Sequence, residues 1–183
     1  IYVGYRYFES AAKDKVLYPF GYGLSYTDFS IEEKDFNLDF GSDIPRIGIT
    51  VNVKNTGNSF GKETVQIYVK QPQGKLGKPA LVLADFKKTS LLKKGKSEKV
   101  SFDFSLSRVR SFDDTGATGN IDCFVLEKGK YEFFAGNNVE NIFKIGEVLL
   151  DETIVTEKVS EALKPVKSFE RLKSCGAKDD GQV

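Results

Sequence analysis

The 183-residue sequence has no histidine, no methionine and only two cysteines. Without histidine, Ser-His-Asp and Cys-His catalysis are excluded, and so is the commonest metal ligand. Cys123 lies in an apolar run and Cys175 in a polar one, which fits neither a disulfide scaffold nor a thiolate metal site. A reduced Cys123 in a core strand favours the cytoplasm over an oxidising exterior. No apolar run approaches the length of a membrane span, so no membrane partner is expected. No signal peptide is visible. The chain starts at Ile1 and lacks methionine altogether, which reads as a piece excised from something longer. Charge of one sign is scarce too. Lysines and arginines number 27 against 26 aspartates and glutamates, for a net charge of +1. A nucleic-acid binder carries a strong basic excess, so nucleic acid is not an expected partner either. Internal repeats are absent, which counts against an adhesion protein built of serial sandwich domains.

Aromatic residues near the start are plentiful. "YPFGYGLSYT" (18 to 27) packs Tyr18, Phe20, Tyr22 and Tyr26 around Gly21 and Gly23. Such a stretch suits either a buried joint between two bodies or a stacking platform for sugar rings. Glycine lets backbones approach closely, which favours the joint. Before it, "IYVGYRYF" reads as a short strand. Lysines cluster in "KKTSLLKKGKSEK" (87 to 99), which reads as a solvated edge or turn, since lysine blunts exposed sheet edges.

From residue 29 the apolar period is two. "FNLDF" alternates Phe36, Leu38 and Phe40. "RIGITVNVKN" alternates Ile47, Ile49, Val51 and Val53, and "ETVQIYVK" alternates Val65, Ile67 and Val69. "VSFDFSL" repeats the pattern with Val100, Phe102, Phe104 and Leu106. "IDCFVL" and "KYEFFAG" flank the turn "EKG" as a hairpin would, and "FKIGEVLL" offers a last strand. Short alternating strands separated by turns describe an all-β antiparallel sandwich. After it the chain turns polar, with a short helical stretch expected around Glu157 to Leu163, ended by Pro165.

No constellation for chemistry emerges. A glycosidase needs two carboxylates roughly 5 to 10 Å apart. Asp35, Asp39, Glu63 and Asp103 sit at polar-face or turn positions. Asp113 and Asp114 are sequence neighbours, which point apart on a strand and in a turn satisfy backbone N–H groups. Ser25 lacks the spacing of a nucleophile elbow, and "GKLGKP" lacks the spacing of a phosphate loop. Two aromatics of the sandwich, Phe60 and Tyr68, are candidates for sugar stacking. No catalytic residue, metal site or cofactor is expected.

Six stretches together carry a resemblance. "IYVGYRYFE", "VLYPFGYGLSYTDF", "VNVKNTGNSFGKETVQIYVKQP", "GKPALVLADFKK", "LLKKGKSEKVSFDF" and "LEKGKYEFFAGNN" resemble, in order and spacing, the C-terminal portion of glycoside hydrolase family 3 of the bacterial β-glucosidase type. The resemblance implies an immunoglobulin or fibronectin type III-like sandwich over residues 29–152. It implies that residues 1–28 are the end of a preceding α/β sandwich domain with its connector, and that residues 153–183 are a polar linker or tail. "LKPVKSFERLK" resembles the linker of members whose catalytic barrel follows the fibronectin-like domain. The parent would hydrolyse β-glycosides with retention, using an Asp from a barrel and a Glu from the α/β domain. No residue here matches either motif. The implied role is structural support of the catalytic domains, which are the expected partners, with β-gluco-oligosaccharide as a further candidate ligand at the loop 71 to 86. The alternatives are a stand-alone carbohydrate-binding module and a surface or adhesion sandwich.

Overall fold

A computed structural model describes residues 1–160 and 166–167. An α-helix, α1 (Tyr5–Ala11), and a short 3-10 helix (Lys13–Lys15) precede the strands. These are β1 (Phe29–Asp39), β2 (Arg46–Asn55), β3 (Thr64–Lys70), β4 (Val82–Lys88), β5 (Ser97–Ser105), β6 (Ser111–Asp113), β7 (Cys123–Leu126), β8 (Gly129–Gly136), β9 (Ile142–Leu150) and β10 (Ile154–Lys158). They form an antiparallel sheet of order β1-β2-β5, facing a second of order β4-β3-β8-β9. A small sheet of order β10-β7-β6 flanks them.

The period-two residues build the core between the sheets. Ile47, Ile49, Val51 and Val53 of β2 and Val100, Phe102 and Phe104 of β5 meet Val65, Ile67 and Val69 of β3 and Tyr131, Phe133 and Ala135 of β8 in one cluster. Each such side chain contributes about 1.5–3 kcal/mol through burial, so alternation selects the register. Phe36 reaches from β1 onto Gly146 of β9, where a Cβ would lie 2.4 Å from the ring, and its ring centroid is 5.5 Å from that of Phe133. Glycine at 146 therefore lets β1 close one side of the sandwich. Phe40, expected to continue the alternation, lies beyond β1 and is exposed.

Three expectations from local pattern are corrected. "IYVGYRYF" is not a strand, because residues 5–11 are helical. A strand would send Tyr5 and Ser10 to opposite faces. As a helix, the segment lets the Tyr5 hydroxyl accept from Leu83 N (2.7 Å) and Ser10 Oγ accept from Ala80 N (2.9 Å). These contacts override the β preference of its aromatics. Nor do β7 and β8 form a hairpin. β7 pairs with β6 and β10, whereas β8 pairs with β3 and β9. Gly129, at φ 128 and packed on Pro72, turns the chain from one sheet into the other. Finally, the expected helical stretch begins inside a strand. Ile154 faces Leu126 and Lys158 faces Cys123 across β10 and β7. Glu157 and Lys158 are thus strand residues. The rest of the expected helical stretch, from 161, lies outside the described residues, as do Cys175 and most of "LKPVKSFERLK".

Candidate domain-docking surface

Alternation in "ETVQIYVK" promises one buried face, yet β3 is buried on both. Gln66 and Tyr68 point away from the core and are covered by the segment that precedes β1. Tyr5 stacks on Phe20 with centroids 4.6 Å apart and meets Tyr68 edge-on at 6.2 Å. The Tyr68 hydroxyl donates to Gln66 Oε1, and Gln66 Nε2 donates to Asn137 O at 3.1 Å. Burial raises the Tyr68 pKa, and Tyr5 and Glu9 add to the effect. Gly21, at φ 90, crosses so closely that a Cβ would stand 2.6 Å from Gln66 Nε2. Further along, Val139 N donates to Phe20 O at 3.0 Å, and the Tyr2 hydroxyl donates to Lys78 O at 3.0 Å. The aromatic segment is thus fixed to the sandwich at Tyr2, Tyr5, Ser10, Phe20 and Gly21.

Its exit into β1 is held as tightly. Asn55 is fully buried. Its Oδ1 accepts from Thr27 Oγ1 (2.8 Å) and Gly57 N (3.1 Å), while its Nδ2 donates to Ser59 O and Leu92 O, both at 2.8 Å. Thr27 sits against two glycines. A Cβ on Gly57 would meet Thr27 Oγ1 at 2.3 Å, and one on Gly61 would meet Thr27 Cγ2 at 2.7 Å. The spacing in "NTGNSFG" is therefore a socket for Thr27, and not turn chemistry alone.

The other side of the segment is bare. Leu17 is 90% exposed, Leu24 92% and Tyr26 99%, and Tyr18 and Tyr22 are exposed beside each other with ring centroids 5.0 Å apart. Large apolar side chains exposed in succession mark an interaction surface. Two-sided use of one segment, one side fixed to the sandwich and one side open, is the geometry of a joint.

The loop from Gln71 to Leu81 is anchored from below. Lys78 Nζ lies 2.7 Å from Glu127 Oε2 and donates to Pro72 O at 2.7 Å. Glu127 Oε1 accepts from Lys75 N at 2.7 Å, and the Tyr131 hydroxyl donates to Glu127 O at 2.9 Å. Both charged groups are buried. Burial lowers the Lys78 pKa, against the pull of the Glu127 carboxylate. Nothing local in the sequence announces this pair, since 49 positions separate its members.

The remaining candidates disperse. Tyr68 is wholly buried and Phe60 is exposed in the β2–β3 turn, so they do not share a platform. Asp113 caps a turn, accepting from Ala117 N (2.9 Å) and from both Thr118 N and Thr118 Oγ1 (2.7 Å each). Burial pushes its pKa up, but the Thr118 hydroxyl and these backbone N–H groups outweigh burial and hold it below the usual value. Asp103 pairs with Arg46, and Glu63 accepts from Thr64 N and Asn137 Nδ2. No group of three or more metal-ligating side chains occurs among the described residues.

Known proteins with this sequence pattern share the arrangement. The fibronectin type III-like domain family matches residues 63–139. A β-glucosidase of Ruminococcus albus is 43% identical over 172 residues, which is 94% of this chain and 18% of that protein. β-Glucosidase A of Butyrivibrio fibrisolvens is 40% identical over 194 residues, 98% of this chain and 23% of that protein. The crystal structure of a β-glucosidase from Paenibacillus barengoltzii superposes with a TM-score of 0.92 at 44% identity, over 99% of this chain and 20% of that one. The chain therefore spans about a fifth of the length of these relatives.

Proposed function

We propose, from the membership of this chain in the C-terminal, fibronectin type III-like region of the glycoside hydrolase family 3 β-glucosidases, that it serves such an enzyme as a docked accessory domain. The parent hydrolyses β-glycosides with retention, and its nucleophile and acid/base belong to its other domains. Alone, this chain is inactive. Residues 1–28 are the last part of the preceding α/β domain, and the sandwich begins at 29 and includes β10. The observation that carries the reading is the two-sided segment before β1. One side is bonded to the sandwich through Tyr5, Ser10, Phe20 and Thr27. The other offers Leu17, Tyr18, Tyr22, Leu24 and Tyr26 to the body from which the segment comes. Burial of such side chains at the joint fixes the catalytic domains relative to the sandwich. The loop reaches only from residue 71 to 81, because 82–86 are paired in β4 and are not loop as expected. Stiffened by the Lys78–Glu127 pair, it lies at the rim of the substrate site, where β-gluco-oligosaccharide would reach it.

The test compares one double variant in two settings. Leu24→Asp with Tyr26→Asp, made in the isolated chain and measured at a dilution where it is monomeric, leaves its melting temperature unchanged, because neither side chain is packed there. Made in the whole enzyme, it lowers the melting temperature and the hydrolysis of an aryl β-glucoside. An unaltered whole enzyme would overturn the proposal.

A further inference from the structure

The lysine cluster and the exposed Phe60 meet at one end of the sandwich. Gly61 N donates to Leu92 O (3.1 Å) and Leu92 N to Gly61 O (2.8 Å), an isolated antiparallel bridge between the β2–β3 and β4–β5 turns. In that register Phe60 stands opposite Lys93 and Lys62 opposite Leu91, on the side away from buried Leu92. All four are exposed, Phe60 by 68% and Leu91 by 55%. Lys94 leans over the same turn, with Nζ 2.7 Å from Asn58 Oδ1, and Lys96 follows it. None of these lysines takes part in an ion pair among the described residues. Other lysines, such as Lys54 and Lys99, also lack an ion pair among the described residues; this cluster differs in standing beside a bare aromatic ring. Of the carboxylates nearby, Glu63 accepts from Thr64 N and Asn137, and Glu98 accepts from Ser90 N and Oγ.

A bare aromatic ring flanked by uncompensated ammonium groups suits a ligand with an apolar face and anionic rim. A uronic-acid residue has both, since its ring C–H groups form a flat apolar face and its carboxylate projects from the edge. We propose that Phe60, Lys62, Leu91 and Lys93 form a binding site for an acidic oligosaccharide. One sugar ring stacks on Phe60, its lower edge rests on Leu91, and flanking carboxylates take the two ammonium groups. Lysine stems are flexible point charges, which accommodate carboxylates at variable spacing, unlike the fixed fork of arginine. A nucleic acid is the weaker match, because strand binding needs a basic groove with several stacking rings, and one ring is present here. The site adjoins the Thr27 socket, with which it shares Gly61 and Leu92, and adds a ligand to the accessory role on which it rests.

The experiment is a titration of the full 183-residue chain by two-dimensional NMR, with trigalacturonate, neutral cellotriose and duplex DNA as probes. Trigalacturonate shifts amides of residues 58–62 and 91–96. Its affinity falls between about 0.02 M and about 0.2 M salt as the screening length shortens from roughly 20 Å to roughly 7 Å. Phe60→Ala weakens binding by roughly 2- to 10-fold, the range expected for one stacked ring. Lys93→Glu abolishes the salt dependence at that position, whereas Lys130→Glu, on a lysine already paired with Glu132, changes nothing. All these positions are exposed, so the variants fold. Equal binding of cellotriose would overturn the charge argument. Binding of DNA at least as tight, indifferent to Phe60→Ala, would reduce the patch to a general polyanion surface and overturn the saccharide assignment. Absence of shifts at low salt would overturn it outright.

Discussion

Replacing Asn55 by alanine tests the socket that joins the aromatic segment to the sandwich. Four hydrogen bonds vanish, but their partners are not equally affected. Gly57 N keeps Asp28 O at 3.2 Å, and Leu92 O keeps Gly61 N at 3.1 Å. Thr27 Oγ1 and Ser59 O retain no partner among the described residues. Ser59 is exposed, so its carbonyl turns to water, whereas buried Thr27 is left unpaired at a cost of about 1–3 kcal/mol. For a domain of this size 1 kcal/mol shifts Tm by about 2–4 °C, which puts the central expectation at about 4–8 °C. Thr27→Val keeps the shape and removes one donor, for about 0.5–1.5 kcal/mol and a few degrees. Calorimetry gives the magnitudes. Hydrogen exchange gives the location, with protection lost at residues 22–28, 55–62 and 89–96 and kept at β3 and β8. A Tm for Asn55→Ala within about 3 °C of the parent would refute the socket, as would equal losses for both variants.

Other consequences are separable. Glu127→Gln leaves Lys78 charged in a buried site and costs about 3–5 kcal/mol, whereas Lys78→Met with Glu127→Leu recovers most of it, as urea melts will show. Asp113 has a folded pKa below the usual 3.8. It therefore contributes stability that is complete above that value and is lost as pH falls through the folded one, and acid titration of Asp113→Asn lacks this component. Tyr68 and Tyr131 have pKa values raised above the usual 10.0, chiefly by burial. The unfolded chain loses these protons first, so stability declines as pH climbs past that value, and less so in Tyr131→Phe. The bare face of residues 17–26 makes the isolated chain self-associate. In sedimentation Leu17→Asp with Leu24→Asp shifts it toward monomer, and a wild-type monomer at high concentration would contradict this.

Alternation legible in "RIGITVNVKN" and "VSFDFSL" became β2 and β5, because a residue that faces a core must be apolar every second position and no tertiary information is needed to see it. The lysine cluster from 87 to 99 was likewise readable as an edge or turn, and Gly95 within it sits at φ 73. Glycine in the aromatic run was readable as a place of close backbone approach, and Gly21 passes tightly over Gln66. Partner assignment was harder. β7 and β8 look like a hairpin in every local respect. They separate because β8 is claimed by β3 and β9, a choice made by strands distant in sequence.

Sequence alone determined that this chain is an antiparallel sandwich without histidine chemistry, since composition and a period of two depend on each residue's own preference for water or core. Tertiary structure alone decided that α1 is a helix, that β3 is buried on both faces, that Lys78 meets Glu127, and that Phe60 stands beside Lys93. Each of those facts depends on which distant surface lies opposite, and one chain position does not encode the identity of its neighbour across the fold.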